Sequence, residues 1–141
     1  MKKEHVTPLK EELISFETAK LAKDKGFNWK VSLHYESNGD RFFDKVECNF
    51  NNVELICSAP TQSLLQKWLR EVHNIIVTSK PYQDDVSNET DEDIEFQTLW
   101  ENEILDVKDS YNIFSDYTFY HSYEEALEIG LYQALKLIKK S

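Results

Sequence analysis

From Ala59 to Val77 the chain reads APTQSLLQKWLREVHNIIV, and its apolar positions change period along the way. Leu64, Leu65, Trp68, Leu69 and Val72 recur at helical spacing, Thr61 follows Pro60 as an N-cap, and Asn74 closes the helix before Ile75, Ile76 and Val77 run on extended. The spacing predicts an amphipathic helix over 61–73 feeding a buried strand over 75–78. Upstream, Trp29, Val31, Leu33 and Tyr35 alternate with Lys30, Ser32, His34 and Glu36, the pattern of a strand with one dry and one wet face. Asn38 and Gly39 signal a hairpin turn. The return strand over 42–50 then sets Val46, Cys48 and Phe50 on its dry face, and a second turn at Asn51 and Asn52 leads to a strand over 53–57. These three strands form an antiparallel meander, covered by the 61–73 helix with Trp68 as its largest apolar side chain.

Both ends read as helices. Ser15 is an N-cap with Ile14 and Ala19 as a hydrophobic staple, and Gly26 ends that helix; a start at Thr7 and Pro8 is the alternative. Ser122 and Glu125 form a capping box ahead of a face made by Tyr123, Leu127, Gly130, Leu131, Ala134 and Ile138. Gly130 inside that face weakens the helix unless another element lies close against it. Ile94, Phe96, Thr98 and Trp100 alternate like a strand, while Phe96, Trp100 and Ile104 also share a helical spacing. Their β-branched and aromatic character favours a strand. Tyr111 to Tyr120 reads as strand too. The whole, residues 1–141, is a single α+β domain, an antiparallel sheet of four to six strands with helices mainly on one face, in the order αβββαββα.

Composition narrows the chemistry. The chain carries 16 basic and 26 acidic residues for a net charge of −10, and Arg41 and Arg70 are its only arginines. Direct DNA or RNA binding, which rests on a basic face with several phosphate contacts, is disfavoured. No apolar run reaches the roughly 20 residues of a membrane span, and the two lysines at the start precede no apolar segment, so a cytoplasmic protein without membrane attachment is expected. Cys48 and Cys57 flank the second turn; pairing Phe50 with Val53 leaves them diagonal, and two buried, reduced thiols are expected. His5, His34, His73 and His121 show no metal-ligand spacing, and phosphate loops, nucleophile elbows and dinucleotide fingerprints are lacking, so neither cofactor, metal nor catalytic centre is expected.

What remains points to an interface. Residues 81–95 read as a mobile acidic loop, and Asp84, Asp85, Asp91, Glu92 and Asp93, with Trp100, Tyr111 and Tyr117, combine carboxylates with amphipathic aromatic rings suited to binding an unidentified protein partner. The same charge can instead mimic nucleic acid and block a DNA-binding partner. A further alternative is a pocket bordered by Lys67, Trp68 and Arg70 that takes a small molecule such as a signalling nucleotide. An unrecognised hydrolase would need His73 or His121 in a deep pocket with a carboxylate and a hydroxyl.

Three stretches, LISFETAKLAKDKGFN at 13–28, SAPTQSLLQKWLREVHNI at 58–75 and SYEEALEIGLYQALKLI at 122–138, resemble a group of small uncharacterised proteins of phages and prophages of Bacteroidetes-type bacteria. The resemblance implies a phage or mobile-element origin, a cytoplasmic setting and a scaffold of recurring helices whose intervening segments vary. It brings no activity with it. On that pattern the variable part is the acidic, aromatic region of residues 80–120.

Overall fold

Three hydroxyl side chains decide where the helices begin. In the computed structural model, which describes residues 11–82, 98–107, 112–115 and 118–139, α1 spans Phe16–Asp24, α2 Gln62–His73 and α3 Tyr123–Lys136. Ser15 Oγ accepts the Thr18 N–H at 3.2 Å, Thr61 Oγ1 the Leu64 N–H at 3.1 Å, and Ser122 Oγ the Glu125 N–H at 3.0 Å. Each bond satisfies a backbone donor that the first helical turn leaves open. Ser15 is thus the start of α1, and the alternative at Thr7 and Pro8 lies outside the described residues. Asn74, left-handed at φ 57°, sends its N–H back to Leu69 O and turns α2 directly into a strand.

The strands form two sheets, not one. β1 (Val31–Tyr35), β2 (Arg41–Cys48) and β3 (Cys57–Ser58) give an antiparallel sheet in the order β2-β1-β3. β4 (Ile75–Tyr82), β5 (Leu99–Asp106) and β6 (Asn112–Phe114) give a second antiparallel sheet in that order. The element order is αβββαβββα, one strand more than expected, and Trp100 and Ile104 lie in a strand. Pro81 and Tyr82, expected in the acidic loop, end β4.

The meander order fails for a local reason. Residues 50–52 form a 3₁₀ turn, and Asn51 ties it inward by donating to Phe27 O at 2.7 Å and accepting from Ser58 N at 2.8 Å. Lys23 then binds the chain that follows, its ammonium donating to the carbonyls of Val53 (2.6 Å), Glu54 (3.0 Å) and Ile56 (2.7 Å). Residues 53–56 therefore lie against the end of α1 and cannot pair with β2; only Cys57 and Ser58 return to the sheet, alongside β1. Lys23→Met removes three charge-assisted bonds at a partly buried site. It is expected to cost about 1.5–3 kcal/mol in urea unfolding, whereas a surface lysine costs close to nothing.

The cysteines follow the changed topology. Cys57 is paired with Tyr35 on one flank of β1 and Cys48 with Val31 on the other, four residues away along the strand, or about 13 Å. The diagonal approach expected from the sequence is not made; both are free thiols, Cys57 buried as expected but Cys48, on the edge strand β2, only half-buried. Burial pushes the Cys57 thiol up from its ordinary 9.0, as burial does the Tyr35 phenol from its ordinary 10.0. Both groups favour the protonated form when folded, so their contribution to stability is full at neutral pH and falls as pH rises above about 9. Urea midpoints should decline through that alkaline range, and iodoacetamide should label Cys48 well before Cys57.

The core runs through Ile14, Ala19, Phe27, Leu65, Trp68, Leu69, Val77, Leu131 and Leu135. α3 lies on β4 and β5 and packs against α1 and α2 on its other sides. Gly130 permits that approach: a Cβ there would stand 2.9 Å from Val77 Cγ1 and 3.0 Å from Asn102 Cβ. Gly130→Ala is expected to destabilise, because overpacking of about 1–3 kcal/mol outweighs the roughly 1 kcal/mol gained by alanine within a helix. In a Val77→Ala background the loss should shrink, a coupling measurable by a double-mutant cycle. A gain from Gly130→Ala alone would overturn the close-packing account.

Candidate functional site

The β1–β2 hairpin leaves three large apolar side chains, Phe42, Phe43 and Val46, in solvent. Its turn is built by Asn38 and Gly39: Asp40 N–H donates to Asn38 Oδ1 at 3.0 Å, and Glu36 N–H to Asp40 O at 2.8 Å, with Gly39 at φ 90°. From this start, Tyr35 faces Arg41, His34 faces Phe42 and Leu33 faces Phe43, after which β2 bulges before Cys48 meets Val31. The expected dry face of Val46, Cys48 and Phe50 holds in part: Phe50 is buried and Cys48 half-buried, but Val46, within the bulged stretch, is not. Val46 is 75% exposed and Phe43 70%, with Phe42 also exposed; nearby in sequence, Leu55 is 73% exposed and Val53 half-exposed.

No strand pairs with the outer side of β2 among the described residues. The β4 edge is blunted: Gln66 of α2 donates its amide to Val77 O, and the strand also carries Pro81. β2 has no comparable cover.

His34, expected on the wet face of β1, is 9% exposed because the Phe50 ring lies over it, 4.6 Å away, with Phe42 stacked at 5.8 Å. Its Nδ1 is 2.9 Å from Asp44 Oδ2 and its Nε2 3.6 Å from Glu36 Oε1. The Nδ1 and Oδ2 atoms are sealed from solvent and make no aligned hydrogen bond, and their close approach links β1 to β2 where the regular ladder gives out.

A groove of about 530 Å³ lies where the three helices begin, lined among others by Tyr35, Arg41, Glu12, Glu124, Glu125 and Glu128. A second, of about 310 Å³, adjoins it along Glu11, Gln62, Gln66 and Tyr123. Carboxylates there complement the positive ends of the helix dipoles. Glu128 is fully engaged: its Oε2 accepts from Ser15 N–H at 3.0 Å and from the Thr18 hydroxyl, and its Oε1 from the Gln62 amide at 3.1 Å. Neither groove is lined by a histidine. Among the described residues no three His, Cys, Asp or Glu side chains converge to hold a metal.

Of the residues read from the sequence as an interface, Asp84, Asp85, Asp91, Glu92, Asp93, Tyr111 and Tyr117 lie outside the described residues. Trp100 is half-buried: its backbone exchanges two 2.8 Å bonds with Tyr120, and its ring meets Tyr123 edge-on at 5.5 Å. Trp68 is 1% exposed and packs on Phe27 and His73, while Lys67 and Arg70 point to solvent, so the three do not border one pocket. His121 is exposed. The β2 edge escaped the sequence reading, although Phe42 and Phe43 carry the signal: adjacent aromatics in a strand face opposite ways, so one sheet face cannot bury both. No helix among the described residues is long and apolar enough to cross a membrane. No protein-family model, curated protein or solved structure matches the chain.

Proposed function

We propose that this chain is a non-enzymatic interaction protein of phage type that binds a host or phage protein, and that the open edge of β2 is part of its binding surface. The observation that carries the reading is the exposure of Phe43 and Val46 on an eight-residue strand with one unpaired side. Exposed apolar side chains on an unpaired edge are an aggregation liability unless a partner uses them. The strongly acidic remainder of the surface, with a net charge of −10, keeps copies apart and favours a partner that engages this edge specifically. The nucleotide alternative draws less support, since the buried Trp68 ring offers a base nothing to stack on.

The test is affinity capture from the lysate of a plausible bacterial host, with the native chain beside a Phe43→Ser/Val46→Ser variant. Both positions are exposed, so the variant should fold normally. A protein retained by the native chain and lost with the variant is the expected result. Identical protein profiles from the two, or an empty one from the native chain, would sink the proposal.

A further inference from the structure

We infer that β2 takes its partner by strand addition, and that the occupant is an extended peptide with an apolar residue flanked two positions away on each side by carboxylates. This deepens the interaction reading and rests on it.

The hydrogen-bond phase of the hairpin shows which backbone groups are free. The Glu36 N–H bonds Asp40 O, and the ladder continues through His34 and Phe42, so the N–H and C=O of Phe42 point at β1. The backbone groups of Arg41 and Phe43 must therefore point away from β1, where no described strand meets them. An incoming strand would find these donors and acceptors already aligned. The regular register ends at Phe43 and resumes only at Cys48, so the outward backbone groups shown to be aligned are those of Arg41 and Phe43, and the irregular stretch beyond guards the remainder of the edge.

Side chains then select the occupant. Arg41 and Phe43 share one face of β2 by strand alternation, Asp44 turns to the other to meet His34 at 2.9 Å, and Lys45 follows it back toward the first; Arg41, Phe43 and Lys45 are all exposed. Neither Arg41 nor Lys45 makes an ion pair among the described residues, and although Arg41 rims the carboxylate-lined groove, no carboxylate there comes within 4.0 Å of it. The row reads cation, aromatic, cation in a protein that is otherwise acidic. Residues directly across an antiparallel pair share a face, so the matching row is acidic, apolar, acidic. A second copy matches poorly: centring two β2 strands on Phe43 sets Arg41 opposite Lys45, centring them on Phe42 sets Asp40 opposite Asp44, and centring them on Asp44 sets two aspartates face to face.

The probe is the peptide acetyl-Ser-Glu-Val-Ile-Val-Glu-Ser-amide, titrated into the ¹⁵N-labelled full chain and followed by NMR. Shifts centred on the Arg41, Phe43 and Lys45 amides, with slowed exchange of the Arg41 and Phe43 N–H groups, are expected. A peptide with lysine for both glutamates, and one N-methylated at the isoleucine, should each bind about tenfold more weakly or worse. An Arg41→Glu/Lys45→Glu variant should invert the preference between acidic and basic peptides. Equal binding of the N-methylated peptide, shifts away from β2, no shifts at all, or self-association through β2 in the unliganded protein would each overturn the inference. Phe43-dependent capture with a silent peptide would discard strand addition and keep the interaction reading; peptide binding without any captured protein would remove the interaction reading on which the inference rests, and overturn the inference with it.

Discussion

Trp68→Ala is expected to cost about 3–5 kcal/mol, a large share of the roughly 5–15 kcal/mol that holds a small domain folded. The ring is 1% exposed, meets Phe27 edge-on at 5.3 Å and His73 at 4.6 Å, and is the largest fully buried side chain among the described residues. Removing it deletes apolar contact on both sides and leaves a void between α2 and the chain that follows α1. Urea unfolding followed by far-ultraviolet circular dichroism reads the loss directly. Lys67→Ala and Arg70→Ala, on the exposed side of the same helix, should each change stability by no more than about 0.5 kcal/mol. A Trp68→Ala protein of native stability would overturn the packing account. A Trp68→Phe/Phe27→Leu cycle would show how much of the cost belongs to the ring pair rather than to burial alone.

Much of the fold was legible because caps and periodicity agree with one another. Thr61 and Asn74 bound α2, Ser122 starts α3, and Gly130 announced a close neighbour before Val77 and Asn102 supplied it. What the pattern could not show was pairing. Asn51 and Asn52 look like turn residues, and they do turn the chain, but Asn51 spends its side chain on Phe27 and Ser58 and the turn becomes 3₁₀. Lys23 has the look of a solvated helix charge, yet it gathers three carbonyls about thirty residues away. Long-range bonds of this kind leave no period, and they converted an expected meander into a sheet with β1 at its centre.

The candidate surface was illegible for a related reason. A β2 bulge shifts which side chains face inward, and with it Val46 passes from an expected core position to solvent. The sequence instead drew attention to charge density in residues 80–120, because carboxylates are conspicuous in composition. An open strand edge is conspicuous only once its neighbours are known.

Glu128→Ala should be the next most damaging change, about 2–4 kcal/mol, although the residue reads in the sequence as an ordinary helix carboxylate. Three donors end on it: the Ser15 N–H that opens α1, the Thr18 hydroxyl and the Gln62 amide. Thr18 and Gln62 are buried, so removal of the acceptor leaves polar groups that water reaches poorly, at about 1–3 kcal/mol each. Gln62 would keep its 2.9 Å bond to Glu124 O, which softens its share of the loss. Glu128→Gln separates geometry from charge. Its carbonyl can still accept from Ser15 and Thr18 through the Oε2 position, whereas its NH₂ would confront the Gln62 NH₂, so an intermediate loss is expected. If the glutamine variant instead matched alanine, the negative charge at the start of α1 would carry the effect through the helix dipole. If both variants unfolded at the native urea midpoint, the carboxylate would not be the brace that holds the starts of α1 and α2 onto α3.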